Sequence, residues 1–210
     1  MNALQLQALR AELIRYREHT PQAITRQHAD ATLRLLERHA RPWQRGVLEG
    51  HLTASAWAVD RTGRYAAMIH HRKLNRWLQP GGHIDDTDAS WRAAAERELR
   101  EETGLDRFIP LFDDSKLFDV DVHAIPARGN EPAHLHYDLR YLFVADVDAG
   151  ATSNAAHSLA LNREESNACR WFALDEMVDD AAFGAETQRM IELSSRRLHG
   201  NAALTTRVTR

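Results

Sequence analysis

Cysteine is almost missing from this chain: Cys169 is the single one in 210 residues, so no intrachain disulfide can form. A reducing compartment is therefore expected. No stretch approaches the roughly 18 consecutive apolar residues that a membrane span needs, and the opening Met1-Asn2-Ala3-Leu4 meets Arg10, Glu12 and Arg15 with no apolar leader core. A soluble, cytoplasmic protein is the expectation. An excess of one charge is also lacking, since Lys and Arg number 27 against 30 Asp and Glu, a formal net of -3. That balance argues against a surface built to grip duplex nucleic acid. What is present is apolar material enough for a real core, 43% of the chain.

Periodicity divides the sequence. Leu4, Leu6, Leu9, Leu13 and Ile14 recur at helical spacing over residues 3–18, and Thr20-Pro21 interrupts them. A second helix is expected from Pro21 to about Arg38, with Pro42 beyond it. Residues 1–45 thus read as a helical hairpin, a structural appendage or a dimer surface. From His51 the texture changes. Residues 52–59 and 65–70 flank the turn Asp60-Arg61-Thr62-Gly63 and predict a β-hairpin. After the Pro80-Gly81-Gly82 break, a helix is expected from about Asp88 to Thr103, stopped by Gly104. Strands are expected at 116–124, 136–147 and 169–172, then helices at 174–178 and 186–198, and a frayed tail at 201–210. This order predicts an α+β layer fold with a body over residues 46–200.

The chemistry concentrates on the expected helix. At about 100° per residue, Glu98, Glu101 and Glu102 fall on one arc together with Trp91 and Ala94, while Arg92, Ala93, Glu96 and Arg100 take the other side. Three carboxylates on a half-buried face repel one another and resist desolvation. Acids near a helix C-terminus are also disfavoured by the macrodipole. A hard divalent cation relieves both costs, and Mg²⁺ binds a few carboxylates plus substrate phosphates. Gly82 lets the backbone approach and present a carbonyl to the same ion.

Gly82, Arg97-Glu98-Leu99-Arg100-Glu101-Glu102, Gly104 and Leu105 together resemble the box of the Nudix hydrolase family. The resemblance implies a Nudix-type α/β/α sandwich with a mixed sheet, carrying the N-terminal hairpin as an addition. It implies a pyrophosphohydrolase with Mg²⁺ (or Mn²⁺) held by Glu98, Glu101, Glu102 and the Gly82 carbonyl, and Arg97 orienting a glutamate. The substrate implied is a small diphosphate, a nucleoside diphosphate linked to another group or a related nucleotide. Two departures stand out. Asp88 replaces the glutamate of the pattern, and eight residues rather than seven separate it from Arg97. Asp88 is expected to brace Arg97 or cap the helix.

Other polar residues are weaker candidates. Lys73 and Arg76 lie in or just after a basic run beginning at His70-His71, suited to phosphate. Trp77 is suited to stacking on a base or to packing against the box helix, and Trp57 and Trp171 read as core. Glu164 and Glu165 precede a strand at a place where several Nudix enzymes carry an extra acid, and Glu165 is taken as the candidate. His134, His136, Asp138 and Arg140 share one face of a strand, with His136 and Arg140 as substrate candidates. Their spacing matches no closed zinc set, and no cysteine is near. Two other readings remain. A non-enzymatic nucleotide sensor of the same family would show an eroded box, whereas this one keeps its acids. An isopentenyl-diphosphate isomerase would carry its cysteine before the box helix, whereas Cys169 follows it.

Overall fold

The computed structural model describes residues 1–72, 74–112, 116–151, 159–160, 166–178, 180 and 182–198. Among them are five helices and eight strands in an α+β fold with a mixed sheet. No helix of the described residues is long and apolar enough to cross a membrane. The chain divides into two compact units.

The first unit comprises Met1–Ser55, Gly82–Ala95 and Asp114–Tyr141. It opens with α1 (Ala3–His19) and α2 (Ala23–Arg38). Helix α1 begins in a capping box: Asn2 Oδ1 accepts from the Gln5 amide and Gln5 Oε1 from the Asn2 amide, which satisfies two of the donors a helix start leaves open. The leucines foreseen as its apolar stripe divide, with Leu9 and Leu13 buried and Leu4 exposed. The hairpin is tied into its unit by polar contacts as well as leucines. Tyr16 donates to Asp119 at 3.0 Å, His28 Nδ1 lies 3.2 Å from the Val120 carbonyl, and Trp91 donates to the Gln5 carbonyl at 3.3 Å. Strand β6 (Asp119–Ile125) pairs antiparallel with β7 (His134–Ala145) from Asp119↔Arg140 to Ile125↔His134.

The second unit comprises Ala56–Gly81, Glu96–Asp113 and Leu142–Arg210. Strand β1 (Gly50–Val59) enters it and turns back into β2 (Tyr65–His71), as the sequence predicts. Asp60 Oδ1 organises the turn by accepting from the amides of Arg64 and Tyr65. On β2 lie β3 (Arg76–Leu78) and β8 (Ser166–Ala173), both antiparallel. Strand β5 (Phe108–Pro110) pairs with the end of β7. The short helix α4 (Leu174–Met177) leads to α5 (Ala185–Leu198), where Ser194 accepts from the fully buried indole of Trp57 at 2.6 Å.

Three strands escape the sequence patterns: β3, β4 (Gly81–His83) and β5, each of three residues. A period of two cannot show itself in so short a run. Trp171 is half-buried rather than core.

Candidate active site

Helix α3 (Trp91–Thr103) carries the acidic cluster. It starts three residues later than the sequence suggests, and the cap falls to Ser90, whose hydroxyl accepts from the Ala93 amide at 3.1 Å. Asp88 serves the preceding loop, where its Oδ2 accepts from the Asp85 amide at 2.8 Å. At the far end Gly104 stops α3, at φ +69° with its amide donating to the Arg100 carbonyl. A side chain there would also meet Ala160, 2.6 Å from the Cβ position.

Glu98 and Glu102 are buried, at 8% and 2% exposure, while Glu101 lies exposed on the last turn. Arg97 links two of the three. Its Nη1 donates to Glu98 Oε1 at 2.8 Å and to Glu101 Oε2 at 3.1 Å. Glu102 is fixed from the strand side, its Oε2 accepting from the Gly81 amide at 2.8 Å. Gly82 follows in the same strand, β4. Cys169 on β8 is half-buried, and its thiol is pushed up to about 12 by burial, with the Glu102 carboxylate adding to the effect. It stays protonated near neutrality and is a poor nucleophile.

The donor set suits Mg²⁺. Three carboxylates lie on the last turns of one helix, two of them buried, and one arginine contacts two of the three.

The other candidates scatter. Arg76 on β3 pairs with Glu186 at 2.8 Å. Trp77 packs edge-on against Phe172, centroids 4.7 Å apart, and against His70 at 5.1 Å. Its partner is thus β8 rather than the box helix. Lys73, Glu164 and Glu165 lie outside the described residues. Arg140 is buried at 1% exposure and cannot face a substrate. It meets Asp138 at 2.9 Å, Asp119 at 3.0 Å and Asp121 at 3.1 Å. Burial works against its charge, but the three carboxylates outweigh it and hold the guanidinium further up. Alternation along β7 correctly groups these residues; what it cannot show is that the face turns inward at Asp138. His136 lies instead in a group of histidines within the first unit, beside His51 and His83.

Solved structures of related shape include an Ap4A hydrolase from C. elegans in a binary complex. It is 19% identical with a TM-score of 0.51, over 71% of this chain and 98% of that one. A NUDIX-family hydrolase from Clostridium perfringens is 18% identical with a TM-score of 0.49, over 70% and 97%. The NUDIX domain of Shewanella oneidensis NrtR, complexed with ADP ribose, is 16% identical with a TM-score of 0.49, over 70% and 87%. No match was found among curated proteins. At 19% identity, the likeness to the C. elegans structure speaks for the fold alone. The family model of the NUDIX domain matches residues 50–193, spanning α3 with its Arg97-Glu98 and Glu101-Glu102 pairs, and this chain belongs to that family as a Nudix-type pyrophosphohydrolase.

Proposed function

We propose that this protein hydrolyses the diphosphate bond of a nucleotide-containing small molecule in a reaction that requires Mg²⁺ or Mn²⁺. The observation that carries the reading is the buried pair Glu98 and Glu102 on one helix end, with Arg97 bridging Glu98 to Glu101 and the Gly81 amide on Glu102.

Glu98, Glu101 and Glu102 would hold the ion, and the Gly82 carbonyl is the candidate fourth donor. Bound there, Mg²⁺ supplies neutralisation of the diphosphate and polarisation of a water. The protein's own groups do the rest. Arg97 orients Glu98 and Glu101, because its guanidinium contacts both carboxylates. The Gly81 amide fixes one oxygen of Glu102. A carboxylate of this cluster takes the proton of the attacking water as the bond to phosphorus forms in line with the leaving phosphate oxygen.

A panel of dinucleoside polyphosphates, nucleoside diphosphate sugars, ADP-ribose and nucleoside triphosphates, assayed with Mg²⁺ and read by product chromatography, tests the proposal. Cleavage of at least one diphosphate bond, abolished by chelation, is expected. Failure to cleave any member with Mg²⁺ or Mn²⁺ present would count against it.

A further inference from the structure

Five histidines of the first unit come together without forming part of the acidic cluster. They arrive from separate places in the chain: His51 from β1, His83 from β4, His123 from β6, and His134 and His136 from β7. Like-natured rings do not gather for packing alone, since each has two nitrogens to satisfy. His51 is buried at 1% exposure, and neither of its ring nitrogens has a hydrogen-bond partner in the structure. Leaving buried polar atoms so costs stability unless something binds them.

We propose that His51, His83 and His136 form a site for a borderline-soft divalent cation such as Zn²⁺, distinct in chemistry from the carboxylate cluster on α3. One nitrogen from each of the three lies within 4.8 Å of the other two. Tetrahedral ligation at about 2.0–2.1 Å per nitrogen asks for spacings near 3.3 Å, so the rings close in by no more than about 1.5 Å. Neutral imidazole is the ligating form. Burial is the main cause that keeps His51 and His136 low, at about 4 and about 2, with neighbouring histidines adding to it. Three nitrogen donors favour zinc-like ions over Mg²⁺, which takes oxygen.

The surroundings are arranged for this. His134 Nδ1 sits 2.9 Å from the Pro132 carbonyl, which can only accept, so Nδ1 carries the proton. The lone pair of its Nε2 then faces His136, 3.3 Å away. His123 is oriented by Asp121 at 2.9 Å. Backbone and carboxylate contacts of this kind commonly fix metal-site histidines. Access is available through the open cleft where Trp43, Arg45, Asp85 and Asp86 join His83. Arg45 is the competitor. Its Nη2 donates to His83 Nδ1 at 2.9 Å. If that nitrogen binds the ion, it can no longer accept from Arg45. If the other nitrogen binds, Nδ1 carries the proton and again cannot accept. Arg45 is exposed, so it can swing out as the cation enters.

The test is Zn²⁺ titration of the full chain by calorimetry, with excess Mg²⁺ present to occupy the carboxylates. Co²⁺ absorption serves as the readout of geometry. One Zn²⁺ per chain, with the visible spectrum of tetrahedral Co²⁺, is expected. His51→Gln and His136→Gln should weaken binding by on the order of 100-fold or more. His83→Gln, at a half-buried position less demanding for folding, should do the same while circular dichroism stays unchanged. Glu98→Gln and Glu102→Gln should leave Zn²⁺ affinity in place, and Arg45→Ala should leave it equal or tighter. Absence of saturable Zn²⁺ binding would overturn the proposal. So would binding that survives His83→Gln in a folded protein but is lost in Glu102→Gln.

Discussion

The carboxylate cluster and the histidine cluster gather potential ligands by opposite means. Glu98, Glu101 and Glu102 sit within five consecutive residues of one helix, and the helical repeat alone puts them on one side. His51, His83 and His136 come from three strands with long stretches of chain between them, and only strand placement brings them together. The first group is anionic, held by an arginine and a backbone amide. The second consists of imidazoles set against one another, with His51 buried and His83 and His136 half-buried. Hard oxygen donors and imidazole nitrogens choose different ions. One chain can therefore hold two sites that do not compete for the same metal.

The largest expected effect isolates the first cluster. Glu102→Gln keeps the acceptor for the Gly81 amide but removes a charge, so turnover should fall by roughly two or more orders of magnitude, the scale of losing a metal ligand or a base. The melting temperature should hold or rise, because like-charge repulsion is relieved. Steady-state kinetics beside a thermal melt checks it; a folded variant with near-normal turnover would break the contrast between the clusters.

Next comes pH, through a residue of the histidine-bearing unit. Glu12 on α1 accepts from the Leu117 amide, and burial is the dominant cause that pushes its carboxyl to about 7. A raised acid binds its proton more tightly in the folded state, so stability is fullest at low pH. It is lost as pH rises from the ordinary carboxylate value of 4.5 through about 7. The loss attributable to Glu12 is roughly 3 kcal/mol. Glu12→Gln, which stays neutral and can still accept, should be more stable than the parent at pH 8 and nearly equal to it at pH 4. Denaturant melts at the two pH values decide the point, and equal differences at both would refute the assignment.

A smaller effect is expected from Arg97→Ala, which frees Glu98 and Glu101 without removing a carboxylate. Turnover should drop by about tenfold to a hundredfold, the scale seen when a group orienting metal ligands is lost. The Mg²⁺ concentration for half-maximal rate should rise with it. A change in stability alone, with kinetics intact, would make Arg97 merely structural. Smallest is the start of α3. Ser90→Ala should cost about 1 kcal/mol, and Asp88→Ala should cost less, since Asp88 serves the loop. The reverse order in thermal melts would restore Asp88 as the cap.

Most of the fold, and the acidic cluster within it, could be read from the residues because both are local. Helical periodicity located α1, α2, α3 and α5, and Gly104 marked the end of α3. The same periodicity set Glu98 and Glu102 on a face that is indeed buried. What escaped reading is non-local. The burial of Arg140 depends on Asp119 and Asp121 arriving from the paired strand, which alternation along β7 alone does not reveal. The contact of the Gly81 amide with Glu102 joins residues 21 apart in the chain, and helical periodicity cannot show it. The histidine group needs the whole topology, since no spacing along the chain ties residue 51 to 83 and 136.

The most direct measurement of the central claim is hydrolysis of a diphosphate substrate found by the panel, followed in one experiment as EDTA is added and then Mg²⁺ restored. Wild-type protein should lose its activity on chelation and recover it with Mg²⁺, whereas Glu102→Gln should stay inactive at every Mg²⁺ concentration. Undiminished hydrolysis in EDTA, or full activity in Glu102→Gln, would contradict the account.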